Sequence, residues 1–135
     1  MNAALPIQVT LEEKRFLLET GFVLRDGERF APALVVFEAL LEIAEEKHVP
    51  LVGIGSVRFA QGDFDGAIEA YEEAITCAPD NALAHAHLGE ALAFGRHFEE
   101  AGLALDKAIQ LDPAGRDGGN MAKTVRRLLE SGLLA

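Results

Sequence analysis

Histidines at positions 85 and 87 stand either side of one alanine in the run "AHAHLGE", and such a pair is the first place to look for a bound metal ion. On a helix, residues two apart point roughly 200° away from each other, so the two rings cannot converge on one ion. His48 and His97 have no ligand pair beside them. The run "GIGS" at residues 53 to 56 begins like a dinucleotide fingerprint, but the third glycine and the preceding strand are missing. Glu72–Glu73 and Glu99–Glu100 are adjacent on a helix and diverge, unlike an acid and a base flanking a substrate. Cys77, the single cysteine, has no cationic neighbour in sequence to favour a thiolate, and it has no partner for an intramolecular disulfide. There is no nucleophile–base signature and no phosphate loop. The expectation is a protein without catalysis, metal or cofactor, in which these side chains pack or face water.

What must position the side chains is an internal repeat. Phe30, Phe64 and Phe98 are 34 residues apart, as are Gly21, Gly55 and Gly89, and Ala33, Ala67 and Ala101. Phe37, Tyr71 and Leu105 follow the same interval with large apolar groups, and Ala74 and Ala108 share the register with Pro79 and Pro113. Several interleaved series in one register define a 34-residue unit. Small residues allow helices to approach closely, a large apolar group fills the space between units, and proline ends a helix.

The pattern resembles the tetratricopeptide repeat, a helix–turn–helix unit of this period. Its small residue in the first helix matches Gly21, Gly55 and Gly89. Its small residues in the second helix match Ala33, Ala67 and Ala101, then Ala74 and Ala108. Its aromatic matches Phe37 and Tyr71, and its closing proline matches Pro79 and Pro113. Repeats are expected over about residues 14 to 47, 48 to 81 and 82 to 115. The first departs most, with Leu40 in place of alanine and Glu45 in place of proline, so its second helix is expected to continue towards His48 until Pro50 stops it. Thr10 and Glu13 form a capping box for the first helix, and Pro32 fits the first turn of the second. After the glycine-rich "DPAGRDGGN", Met121, Val125, Leu128 and Leu129 recur at helical spacing and Gly132 is a stop, giving a capping helix over about 118 to 131. The resemblance implies an all-α, single-domain, right-handed α-solenoid: three stacked helix–turn–helix repeats and a C-terminal capping helix.

Composition narrows the partners. Half of the 135 residues are hydrophobic, enough for a core. The formal charge is −10, and phosphate binding needs a basic footprint, so nucleic acid is not an expected partner. The charge is uneven: 8 basic and 20 acidic residues precede Ala114, with 4 basic and 2 acidic from there on. No apolar run approaches the ~20 residues that span a bilayer, nor is there a secretory leader pattern, so a soluble cytoplasmic protein without membrane insertion is expected.

Stacked repeats curl so that the first helix of each pair lines a concave surface where such folds bind partners. Repeat geometry carried over from the resemblance turns Arg15, Leu18, Phe22, Arg25 and Asp26 inward in the first repeat. The second contributes Val49, Val52, Ser56, Phe59 and Ala60, and the third Leu83, Ala86, Glu90, Ala93 and Phe94. The set is largely apolar on an acidic body, which marks an interaction site for a protein or peptide with apolar anchor residues, with Phe59 and Phe94 as its anchors. Heat-shock-protein cochaperones of this family grip a terminal carboxylate with lysine, arginine and asparagine. The matching positions here are Leu18, Phe22, Ser56, Leu83 and His87, which argues against that use.

The runs "VVFEALLEI", "LVGIGSVRFAQGDFDGAIEAYEEAI" and "HAHLGEALAFGRHFEEAGLALDKAI" are also similar to the class II chaperones of bacterial type III secretion, over about residues 16 to 111. That resemblance implies a chaperone holding an extended segment of a translocator in its groove, and a homodimer as a further partner state. The chain has few residues before its first repeat, where that family carries an added helical segment used in dimerisation. The competing expectation is an assembly protein that joins copies of itself or a larger complex, suggested by the acidic body, the basic C-terminal helix and the apolar "SGLLA" tail.

Overall fold

The computed structural model describes residues 8–135 and contains seven helices, with no strand among the described residues. In order they are α1 (Leu11–Asp26), α2 (Phe30–Ile43), α3 (His48–Ala60), α4 (Phe64–Cys77), α5 (Ala82–Phe94), α6 (Phe98–Leu111) and α7 (Gly119–Ser131). They form three antiparallel pairs closed by α7, the architecture that the 34-residue register implies.

The register works by fitting one large side chain against small ones. Phe37 is fully buried, and a Cβ added at Gly21 or Gly53 would come within 2.6 Å or 2.5 Å of its ring. Tyr71 lies against Gly55 in the same way, and Leu105 against Gly89. Alanines 33, 67, 74, 101 and 108 are completely enclosed, so each pair closes to backbone distance along α2, α4 and α6.

Local chemistry sets the helix ends. The Thr10 hydroxyl accepts from the Glu13 amide at 3.1 Å, while the Glu13 carboxylate accepts from the Thr10 amide at 3.0 Å. Asp63 and Asn81 cap α4 and α5 by accepting from the amides of Gly66 and Ala84, both at 2.9 Å. Ala78 and Asp112, each preceding a proline, leave helical geometry and end α4 and α6.

The second helix of the first pair stops earlier than expected. α2, α4 and α6 each have 14 residues, and Ala44 is already extended at ψ 138°. Lys47 donates to the Leu41 carbonyl at 2.8 Å and satisfies one of the last acceptors of α2. Pro50 therefore sits in the first turn of α3, where its missing N–H costs nothing, and it starts that helix rather than ending the previous one.

Each pair is joined by a three-residue turn whose middle residue is left-handed: Glu28 (φ 59°), Gly62 (φ 80°) and Arg96 (φ 68°). Only Gly62 adopts this conformation without steric cost. Glu28→Gly and Arg96→Gly are each expected to stabilise the fold by about 1 kcal/mol, read as a rise in the urea midpoint at constant slope. An unchanged or lower midpoint would contradict this account of the turns.

α7 is seated by a loop folded around Asp112. Its carboxylate accepts from the amides of Arg116 (3.1 Å), Asp117 (2.6 Å) and Gly119 (2.9 Å), the last being the first residue of α7. The bonds from Asp117 and Gly119 hold the carboxyl below the usual aspartate range. A group whose folded pKa is depressed contributes stability above its unfolded value of about 3.9 and loses it as pH falls through the folded value. Protection of the α7 amides, taken relative to intrinsic exchange at each pH, is therefore expected to be lost first when the solution is acidified below that range. Asp112→Asn should bring that loss of protection to neutral pH, and equal protection in variant and parent would overturn this role. Further along, the Arg126 guanidinium reaches Asp106, Glu130 and the Gly102 carbonyl, fastening α7 to α6.

Candidate functional site: the inner face of α1, α3 and α5

α3 packs against both α1 and α5, so the three first helices form one continuous inner face. The side chains assigned to it from sequence do not share one environment. Leu18, Phe22, Val49, Phe59, Glu90 and Phe94 are half-buried, and Leu83 is 39% exposed. These remain accessible to a partner.

Four others are covered by the molecule itself. Val52 packs with Leu51, Tyr71, Ala84 and Ala91. Ser56 is buried and donates its hydroxyl to the Gly53 carbonyl at 2.7 Å, which satisfies it inside α3. Ala86 and Ala93 are wholly enclosed in the cluster that includes Ala122 and Val125 of α7. The cause is that α7 packs on α5 as well as α6, occupying the place that the first helix of a further repeat would take.

The aromatic residues are likewise shared with the scaffold. Phe59 and Phe94 contact each other at a centroid distance of 5.3 Å, and Phe64 of α4 completes the cluster at 5.2 Å from Phe59 and 6.1 Å from Phe94. Phe22 meets Phe37 edge-on at 5.1 Å and carries the Arg25 guanidinium 4.9 Å above its other face. Arg25 is bound in turn to Asp26 at 2.7 Å.

A hollow lies at the N-terminal end of this face. It encloses about 530 Å³ between α1, the end of α2 and the start of α3. Val9, Leu11, Leu18, Leu40, Ala44, Val49 and Pro50 supply its apolar lining, and Lys14, Arg15, Glu45 and Glu46 bring both signs of charge. Sequence reasoning placed Arg15, Leu18 and Val49 on this face but missed Val9, Leu11, Leu40, Ala44 and Pro50. The signal in the register was Leu40, which stands where the later repeats have Ala74 and Ala108 and puts a larger apolar side chain on the hollow.

At the other end, Tyr71 stacks on His87 with centroids 5.3 Å apart and planes at 21°. Burial pushes the Tyr71 phenol well above its ordinary range, the nearby Glu90 carboxylate pushes the same way, and Arg25 opposes them. Tyr71 therefore stays neutral and acts by packing. His87 Nδ1 is enclosed 3.9 Å from the Glu90 carboxylate and has no hydrogen-bond partner among the described residues. His85 instead bonds the Pro79 carbonyl at 2.8 Å, and no group of three or more potential metal ligands comes together among the described residues. Nor, among them, is any helix long and apolar enough to cross a membrane.

Comparison with known proteins agrees with this architecture. The family profile described as TPR repeat matches residues 55–93. A probable UDP-N-acetylglucosamine–peptide N-acetylglucosaminyltransferase SPINDLY of Solanum lycopersicum is 32% identical over 92 residues, covering 68% of this chain and 10% of that protein. The chain thus spans about a tenth of the length of that relative. Among solved structures, the Yersinia enterocolitica type III secretion chaperone SycD in complex with a peptide of the translocator YopD superposes with a TM-score of 0.77. It is 22% identical, and the match covers 93% of this chain and 95% of that one. The Sgt2 TPR domain of Aspergillus fumigatus gives 0.78 at 22% identity, covering 92% and 80%. Seven helices in three pairs, glycine–aromatic packing at a 34-residue interval and the profile match over residues 55–93 together give the chain the tetratricopeptide-repeat fold.

Proposed function

We propose that the chain is a non-catalytic chaperone or adaptor that holds an apolar segment of a partner protein along the inner face, with one anchor side chain in the hollow between α1, α2 and α3. The observation that carries this reading is the hollow itself. Its volume of about 530 Å³ falls in the range of ligand pockets, and its lining sets apolar side chains beside Lys14, Arg15, Glu45 and Glu46 on an acidic body. Leu18 and Val49 hold the anchor, and Phe22, Leu83, Glu90, Phe59 and Phe94 continue the track. Val52, Ser56, Ala86 and Ala93 support it from beneath.

The partner class that fits best is a hydrophobic translocator of a secretion system. Support comes from the similarity in fold to SycD, which was solved with a peptide of the translocator YopD. Co-purification from the native cell, comparing the unaltered chain with Leu18→Asp/Val49→Asp, tests the proposal. A secreted hydrophobic protein recovered with the first and lost with the second is the expected result. An unchanged set of partners would remove the groove from the account, and recovery of partners that are not secreted would remove the translocator class.

A further inference from the structure

The two ends of the array are finished differently. At the C-terminal end α7 buries Ala122 and Val125 and turns the polar residues Asn120, Thr124, Arg127 and Ser131 to water. Such a polar outer face is what ends a repeat array in solution. At the N-terminal end α1 exposes three large apolar side chains, Leu11 at 67%, Phe16 at 68% and Val23 at 70%. Phe16 and Val23 are seven residues apart, so they form one stripe. Away from the stripe Gly21 is buried, and Leu17 and Leu24, about a quarter-turn round from it, are half-buried.

The stripe has a consistent charge along its edges. Glu12, Glu19 and Asp26 recur at the same seven-residue spacing on one flank, and Glu13 lies on the other; all four are exposed. Glu12 and Glu13 join Val9, Phe16 and Leu17 around a hollow of about 410 Å³. Lys14 and Arg15 line the groove hollow, and Arg25 covers Phe22 and pairs with Asp26. The outer face of α1 is therefore an apolar seam whose unneutralised edge charges are the carboxylates of Glu12, Glu13 and Glu19.

We propose that this face is a second docking surface, separate from the groove, and that its occupant is an amphipathic helix of a partner protein with an apolar stripe flanked by lysine or arginine. A helix is the matching shape because α3 and α5 each have a helix packed on both sides, whereas α1 has one only towards α3. Basic flanks match the carboxylate edges. A second copy of this chain matches poorly: pairing α1 with α1 would bring the carboxylate rows together, and the outer face of α7 has no apolar row to offer.

The test uses the full chain and two labelled 18-residue amidated helical peptides, one of leucine and lysine and one of leucine and glutamate, titrated by fluorescence anisotropy. Saturable binding of the leucine–lysine peptide alone is expected, weakened tenfold or more by Phe16→Ser/Val23→Ser and unchanged by Leu18→Asp/Val49→Asp. Glu12→Lys/Glu19→Lys, which alters no packed group, should shift the preference to the leucine–glutamate peptide and so tests the surface even if the serine variant folds poorly. Four results would overturn the proposal: no binding, binding indifferent to the α1 substitutions, binding lost through the groove substitutions, or binding only after removal of residues 1–7, which would make the chain's own first residues the occupant. A chain that self-associates alone and becomes monomeric on Phe16→Ser/Val23→Ser would assign the face to a second copy and overturn it equally.

Discussion

Phe37→Ala is expected to lower the unfolding free energy by about 3–5 kcal/mol, a large part of the ~5–15 kcal/mol available to a domain of this size. The ring is fully buried between Gly21 of α1 and Gly53 of α3 and is braced edge-on by Phe22. The glycines that face the ring have no side chain to move into the space it leaves. Gly53→Ala in the parent chain is also expected to destabilise, although alanine is the better helix former by about 1 kcal/mol. An added Cβ would stand 2.5 Å from the ring, and Phe37 is held from the other side by Gly21. In the Phe37→Ala background the obstacle is gone, so Gly53→Ala should become stabilising. This reversal of sign is read from a double-mutant cycle of thermal or urea unfolding. Additive effects would mean that the ring and the glycine do not share one space.

Leu18→Asp/Val49→Asp is expected to weaken partner capture by about a hundredfold or more. Withdrawing one apolar anchor from its pocket forfeits ~1.5–3 kcal/mol, and two carboxylates among Leu40, Ala44 and Pro50 add the cost of burying charge. Both residues are half-buried, Leu18 at the edge of the cluster around Phe37, so the melting temperature should fall as well, though less than for Phe37→Ala. Phe59→Glu/Phe94→Glu would behave differently. Those rings pack on each other and on Phe64, so that variant should lose more thermal stability for the binding it loses. Measuring affinity and melting temperature on both pairs separates a site from a joint: the first pair should change affinity more than stability, the second both strongly.

Much of the fold is legible in the sequence because its rule is periodic. Gly21, Gly55 and Gly89 announce the close contacts, and Phe37, Tyr71 and Leu105 the side chains that fill them. Thr10, Asn81 and Gly132 mark helix ends through chemistry confined to a few neighbouring residues. The site is less legible because its decisive contacts fall outside the period. Phe59 and Phe94 are 35 residues apart rather than 34, so no register pairs them, yet their rings touch. Ala86 and Ala93 occupy positions that face inward in a continuing array, but α7 arrives from beyond residue 118 and covers them. The end of α2 was obscured for a related reason. Glu45 replaces the proline that would have marked it, and the bond from Lys47 that closes the helix leaves no motif.

The central claim is that a partner lies along α1, α3 and α5 with an anchor beside Val49. It is tested most directly by a photo-crosslinking amino acid at position 49, compared with the same group at Val35, which is 65% exposed on α2 outside the groove. Irradiation of the complex recovered from the native cell should join the partner to position 49 through one short apolar segment and leave position 35 unlinked. Crosslinks from position 35 with none from position 49 would place the partner outside the groove and contradict the account.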